Sequence, residues 1–129
     1  MAGLPTRFES IDPILRVEDM SVAVRYYVDV IGFEAAPWGD ENFTHVGRDG
    51  RGIYLCGGGQ GHRGAWVWIG VEDVRPLFET YKGRGAIVRR EPVRESWALE
   101  MQIEDPDGNV LRFGSNPEED TGSGEPARR

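Results

Sequence analysis

The chain is one unit written twice, and that repetition limits its possible folds more than any other feature. Val17-Glu18-Asp19 recurs as Val71-Glu72-Asp73, an offset of 54 residues. At that offset Met20 falls on Val74, Val24 on Phe78 and Tyr27 on Tyr81, so apolar residues follow each aspartate at helical spacing. Asp19 and Asp73 can accept the free N–H groups of a first helical turn, and Pro76 is tolerated near a helix start. Gly32, and Gly83 or Gly85, supply the stops. Two turn-then-strand runs match at an offset of 58: Arg48-Asp49-Gly50 leads into 51–56, and Asp105-Pro106-Asp107-Gly108 into 109–114. The four-residue difference between the offsets is the size of a loop insertion.

The pattern predicts strand 11–18, helix 20–31, short strands near 34–38, 43–47 and 51–56, and a flexible Gly-rich joint at 57–61. The second half predicts strand 65–71, helix 74–82 and strands 86–90, 98–104 and 109–114. Strand alternation sorts the side chains onto two faces. Leu15, Val17, Ile53, Leu55, Val67, Ile69, Leu111 and Phe113 form an aliphatic face suited to lie under the helices. The opposite face carries Asp12, Arg16, Tyr54, Trp66, Trp68 and Arg112, a mixture unfit for a dry core and suited to a concave, aromatic-lined pocket. Glu100 and Gln102 are expected on that face with Asn42 and Thr44, and Trp38 and Trp97 on its rim. The joint is not a phosphate loop, since no Lys-Ser/Thr follows it. His45 and His62 read as surface or structural histidines, Cys56 as a buried structural thiol, and the Asp105–Gly108 run as turn chemistry.

The chain has 129 residues, a formal net charge of −7 and one cysteine. That length suits one compact domain. The negative charge disfavours nucleic acid, whose phosphates it would repel, and favours a neutral or cationic small ligand. No intrachain disulfide is possible, no apolar run approaches the length of a membrane span, and the N-terminus lacks the basic-then-apolar pattern of a secretory signal. A cytoplasmic protein that binds neither membrane nor nucleic acid is the expectation. Residues 1–10 and 117–129 are expected to be flexible tails around a single domain at 11–116, with one module at about 11–57 and another at about 64–116.

Two stretches resemble a known family. Pro13-Ile14-Leu15-Arg16-Val17-Glu18-Asp19 followed by Tyr26-Tyr27-Val28-Asp29-Val30-Ile31-Gly32-Phe33-Glu34 is similar to the opening of the vicinal oxygen chelate superfamily, which includes glyoxalase I, bleomycin-resistance proteins, fosfomycin-resistance enzymes and extradiol dioxygenases. Asp105-Pro106-Asp107-Gly108-Asn109-Val110-Leu111-Arg112-Phe113 is similar to its closing signature. The resemblance implies an α+β fold of two βαβββ modules, with curved mixed sheets around a cavity, and a homodimer. Metal-dependent members place His or Glu ligands on the first and last strand of each module. Those positions map here to Asp12, Tyr54, Trp66 and Arg112.

That set makes a poor metal site. An indole has no lone pair to give, a guanidinium repels a cation, and a protonated phenol ligates weakly. No metal and no cofactor is expected. The resemblance then points to the bleomycin-resistance branch: a metal-free protein that sequesters a small molecule, cationic and aromatic in that branch, in an aromatic acidic cleft of Asp12, Trp38, Tyr54, Trp66, Trp68, Trp97, Glu100 and Arg112. The alternative is a glyoxalase-family lyase or isomerase acting on a small carbonyl substrate, either metal-free with Glu100 or Asp12 as base, or with an atypical metal site.

Overall fold

The computed structural model describes residues 3–117. The chain runs β1 (Ile14–Arg16), α1 (Met20–Tyr26) prolonged by a π-helical turn (Tyr27–Ile31), β2 (Glu34–Ala35), β3 (Phe43–Arg48), β4 (Arg51–Cys56), β5 (Trp66–Gly70), α2 (Val74–Gly83), β6 (Ile87–Arg94), β7 (Leu99–Glu104) and β8 (Val110–Ser115). Two four-stranded sheets result, ordered β1-β4-β3-β2 and β5-β8-β7-β6. Each is mixed: β1–β4 and β5–β8 run parallel and the other pairs antiparallel. This is the expected α+β architecture of two βαβββ modules.

The repeat holds down to strand register. Ile14 lies opposite Tyr54 in the first sheet, and Trp68 opposite Arg112 in the second. Those pairs are related by the same offsets of 54 and 58 that the sequence displays.

Local chemistry explains the boundaries. Asp19 accepts from the Val22 N–H at 3.2 Å and Asp73 from the Arg75 N–H at 3.0 Å, capping α1 and α2. The first helical segment stops at Gly32, at φ 90°. α2 closes with paired bonds from Gly85 N–H to the Lys82 carbonyl and from Ala86 N–H to the Tyr81 carbonyl, with Gly85 at φ 80°. β1 is shorter than the expected 11–18 because Pro13 has no N–H to donate to a ladder. Pro37 likewise follows closely on β2, which spans two residues rather than five. β6 instead runs on to Arg94, through a Pro92 expected to lie in a loop. It is an edge strand with register shifts between Val88 and Val93, where a missing donor is tolerated.

Both halves contribute to one core, from Leu15, Tyr27 and Leu55 in the first to Tyr81, Met101 and Phe113 in the second. Three tyrosines tie the halves together. Tyr81 Oη donates to the Ile31 carbonyl at 2.8 Å, Tyr26 Oη to the Glu104 carbonyl at 2.6 Å, and Tyr27 Oη to Asp105 Oδ2 at 2.8 Å. Burial raises the phenol pKa of all three.

The Asp105–Asn109 turn does more than reverse the chain. Buried Asp105 accepts from Tyr27, from the backbone of Asp107 and Asn109, and from the Asn109 side chain. Asn109 in turn bonds Ala65 N–H at 2.9 Å and the Arg16 carbonyl at 3.1 Å, fastening β5 and β1 to one turn. Burial pushes the Asp105 carboxyl above its ordinary pKa, against the pull of those donors.

Residues 3–13 form neither helix nor strand, and from residue 118 onward the expected C-terminal tail lies outside the described residues. Among the described residues no helix is long and apolar enough to cross a membrane.

Candidate ligand-binding surface

The residues picked out from sequence fall into two groups, one per sheet, each on the face away from the helices. On the first sheet Tyr54 is the centre. Its ring stacks on Phe43 with centroids 5.1 Å apart and planes 15° from parallel, and Trp38 packs 6.3 Å away. His45, its register partner, meets it edge-on at 4.7 Å, and His45 Nε2 lies 3.6 Å from Asp12 Oδ2. Trp38 is held by a hydrogen-bonded turn: Thr44 Oγ1 donates to its carbonyl at 3.0 Å, and Asp40 accepts from Asn42 and Phe43 N–H.

The second sheet carries Trp66, Trp68, Trp97, Glu100 and Arg112. Trp66 and Trp68 project from β5 and are 53% and 46% exposed. Each has a guanidinium over its ring: Arg89 over Trp66 and Arg112 over Trp68, both at 5.2 Å. Arg112 also grips Glu100 through two parallel bonds, Nε to Oε1 at 2.9 Å and Nη2 to Oε2 at 3.0 Å. The Trp97 indole N–H bonds the same carboxylate. The Arg112 hydrogen bonds hold Glu100 below the usual carboxylate range although its side chain is only 2% exposed, and Glu100 in return raises Arg112. Arg89 reaches across β7, bonding Gln102 at 3.0 Å and Glu104 at 3.2 Å.

Two expectations need correction. Thr44 is buried on the core side, in register with Leu55, so Phe43 and His45, not Asn42 and Thr44, share the face of Tyr54. Val46 carries the signal for this: a strand that buries residue 46 must also bury residue 44. His45, read from sequence as a surface or structural histidine, is packed against Tyr54 and lies beside Asp12. The second sheet is also not an acidic surface, since Glu100, Glu104 and Glu95 are each paired with an arginine, the last with Arg90 at 2.9 Å. Arg89 was missed because no sequence spacing links it to Trp66. It reaches that ring only by crossing the sheet.

A groove of about 390 Å³ lies between α1 and the 35–41 segment, lined by Met20, Val24, Ala35, Ala36 and Trp38, and so adjoins the first group at Trp38.

The metal-ligand positions implied by the family do not fit a metal ion. Asp12 lies near His45 and could supply an oxygen. Arg112, however, is a cation locked to Glu100, and Trp66 offers only a π face already under a guanidinium. Among the described residues no group of three or more His, Cys, Asp or Glu side chains could hold a metal ion.

Comparisons with known proteins agree with this architecture. The family model for the Glyoxalase/Bleomycin resistance protein/Dioxygenase superfamily matches residues 8–113. No protein of curated function matches the chain significantly. Among solved structures, a bleomycin-binding protein from bleomycin-producing Streptomyces verticillus, complexed with copper(II)-bleomycin, is 24% identical with a TM-score of 0.72, covering 85% of this chain and 98% of that one. TnmS3, an antibiotic binding protein from Streptomyces sp. CB03234, is 20% identical with a TM-score of 0.73 at the same coverages. An integron cassette protein from the mobile metagenome of V. cholerae is 16% identical with a TM-score of 0.70, covering 88% and 98%. With its duplicated register, its two mixed sheets and a family match over most of its length, the chain belongs to the glyoxalase/bleomycin resistance protein/dioxygenase superfamily.

Proposed function

We propose that this protein binds and sequesters a planar aromatic small molecule without a catalytic metal, on the faces built around Tyr54 and around Trp66 and Trp68. One observation carries the reading: two indoles stand half exposed on adjacent outward positions of β5, and one of them, Trp66, occupies a position where the family resemblance puts a metal ligand. Large aromatic surface left in water is costly unless something covers it. Asp12, Trp38, Trp97, Glu100 and Arg112 would shape and orient the site, and Phe43 and His45 join them. Binding of bleomycin or another antibiotic by structural neighbours supports small-molecule sequestration as the role, with drug resistance as its consequence. The net charge of −7 favours a cationic ligand at low ionic strength.

The proposal includes a cytoplasmic homodimer. β1 and β5 are edge strands, and each aromatic face is one-sided in a single chain. A second copy would give each face an opposing wall. Titration with bleomycin and a panel of planar aromatic compounds, followed by tryptophan fluorescence, tests the binding. Quenching that saturates with at least one compound supports it, and no response across the panel contradicts it.

One observation favours the alternative of a lyase or isomerase acting on a small carbonyl compound. His45, Asp12 and Tyr54 form an imidazole–carboxylate–phenol set suited to moving a proton. Glu100 is unsuited to that task, being held ionised by Arg112. Exchange of the proton next to the carbonyl into deuterated water, abolished by His45→Ala, would establish this reading in place of sequestration.

A further inference from the structure

Resting on the binding reading above, we infer that the second sheet selects a planar aromatic ligand bearing an anionic or strongly hydrogen-bond-accepting oxygen, rather than a cationic one. The indoles are the platform, but their attraction for cations is already engaged. Arg89 covers Trp66 and Arg112 covers Trp68, each at 5.2 Å. An incoming cation would have to displace a guanidinium from the ring or sit beside it against like charge.

The carboxylates that could have welcomed a cation are committed. Glu100 receives both Nε and Nη2 of Arg112 and the Trp97 indole N–H, and Glu104 receives Nη1 of Arg89. Neither arginine is exhausted by its pair. Arg112 uses Nε and Nη2, which leaves Nη1; Arg89 uses Nε on Gln102 and Nη1 on Glu104, which leaves Nη2. Each guanidinium thus keeps an edge of N–H donors beside an exposed indole. A flat molecule packed against the part of Trp66 or Trp68 that its guanidinium leaves exposed would meet those donors at its rim, where a quinone, phenolate, carboxylate or sulfonate oxygen would be satisfied. The Arg112 side chain is 38% exposed and that of Arg89 45%, so neither guanidinium is sealed from solvent by its pairing.

The overall negative charge does not decide the matter. At physiological ionic strength its field is screened within about 8 Å, so the groups that touch the ligand set the preference.

Calorimetric titration with anthraquinone-2-sulfonate and with proflavine, flat three-ring compounds of opposite charge, tests the inference. The sulfonate is expected to bind at least about tenfold more tightly than proflavine at 0.15 M salt. Arg89→Gln should cut that preference severalfold. The paired change Glu100→Gln with Arg112→Gln, which leaves no buried charge unpartnered, should cut it as well. Proflavine binding as tightly as the sulfonate, or more so, overturns the inference while the binding reading stands. Failure of both compounds and of the wider panel overturns both.

Discussion

The six-membered ring of Trp68 packs directly on Gly114. A methyl group at Gly114 would overlap Cη2 of the indole and come within 2.7 Å of Cζ2. Gly114 also lies opposite Gly70 and Glu100 in the ladder. The missing side chain is what lets an indole lie down on the sheet beside Arg112. Gly114→Ala is therefore expected to lift Trp68 from its seat. Chemical denaturation should show a loss of about 1–3 kcal/mol, the usual cost of overpacking, and ligand affinity should fall with it.

Trp66 and Trp68 separate binding from folding. Both are about half exposed, so replacing either with alanine should cost about 1–2 kcal/mol of stability, less than truncating a core aromatic. Ligand affinity should fall about tenfold for each, near 1.4 kcal/mol. Parallel denaturation and calorimetry check the two expectations. A large stability loss without an affinity change would make these residues packing elements only.

Glu100 gives the second sheet a pH signature. Its pKa lies below 4.5 because Arg112 bonds the ionised form. A carboxylate with a lowered folded-state pKa contributes stability that is present above its unfolded value and lost as pH falls through the folded value. Glu100→Gln should therefore be less stable than the parent at neutral pH. The difference should shrink as pH drops below 4.5. Thermal melts of the two proteins between neutral and acid pH test this, and a constant difference would contradict it.

The tyrosine ties test how the halves are joined. Tyr81→Phe removes the donor to the Ile31 carbonyl while keeping the ring against Phe113. A loss of about 1 kcal/mol is expected, because a buried acceptor goes unsatisfied. Tyr27→Phe should behave similarly by taking one donor from buried Asp105. Denaturant midpoints read both.

Much of the fold was legible because duplication supplied internal controls. Asp19 and Asp73, or Gly32 and Gly85, each confirmed the role of the other, and the two offsets read from sequence recur in the strand pairing, where Ile14–Tyr54 of the first sheet corresponds to Trp68–Arg112 of the second. Strand ends were less legible. Pro13 and Pro37 shortened β1 and β2, whereas Pro92 did not interrupt β6, because that strand lies on an edge and sequence alone does not say which strands do. At the candidate surface, the positions of Trp66, Trp68 and Arg112 followed from alternation. The Arg89–Trp66 contact and the burial of Glu100 did not, since both arise from side chains reaching between strands. The acidity expected of the surface counted carboxylates without their partners. A sum of charges cannot reveal that Glu95, Glu100 and Glu104 are each paired.

The most direct measurement uses the four tryptophans as separate reporters. In a nitrogen-15 correlation spectrum each indole N–H gives its own signal, assignable by single Trp→Phe substitutions. On titration with anthraquinone-2-sulfonate, the signals of Trp66 and Trp68 are predicted to shift most and to saturate together. If those two stay fixed, whether other signals move or none does, the aromatic face of the second sheet is not the binding site.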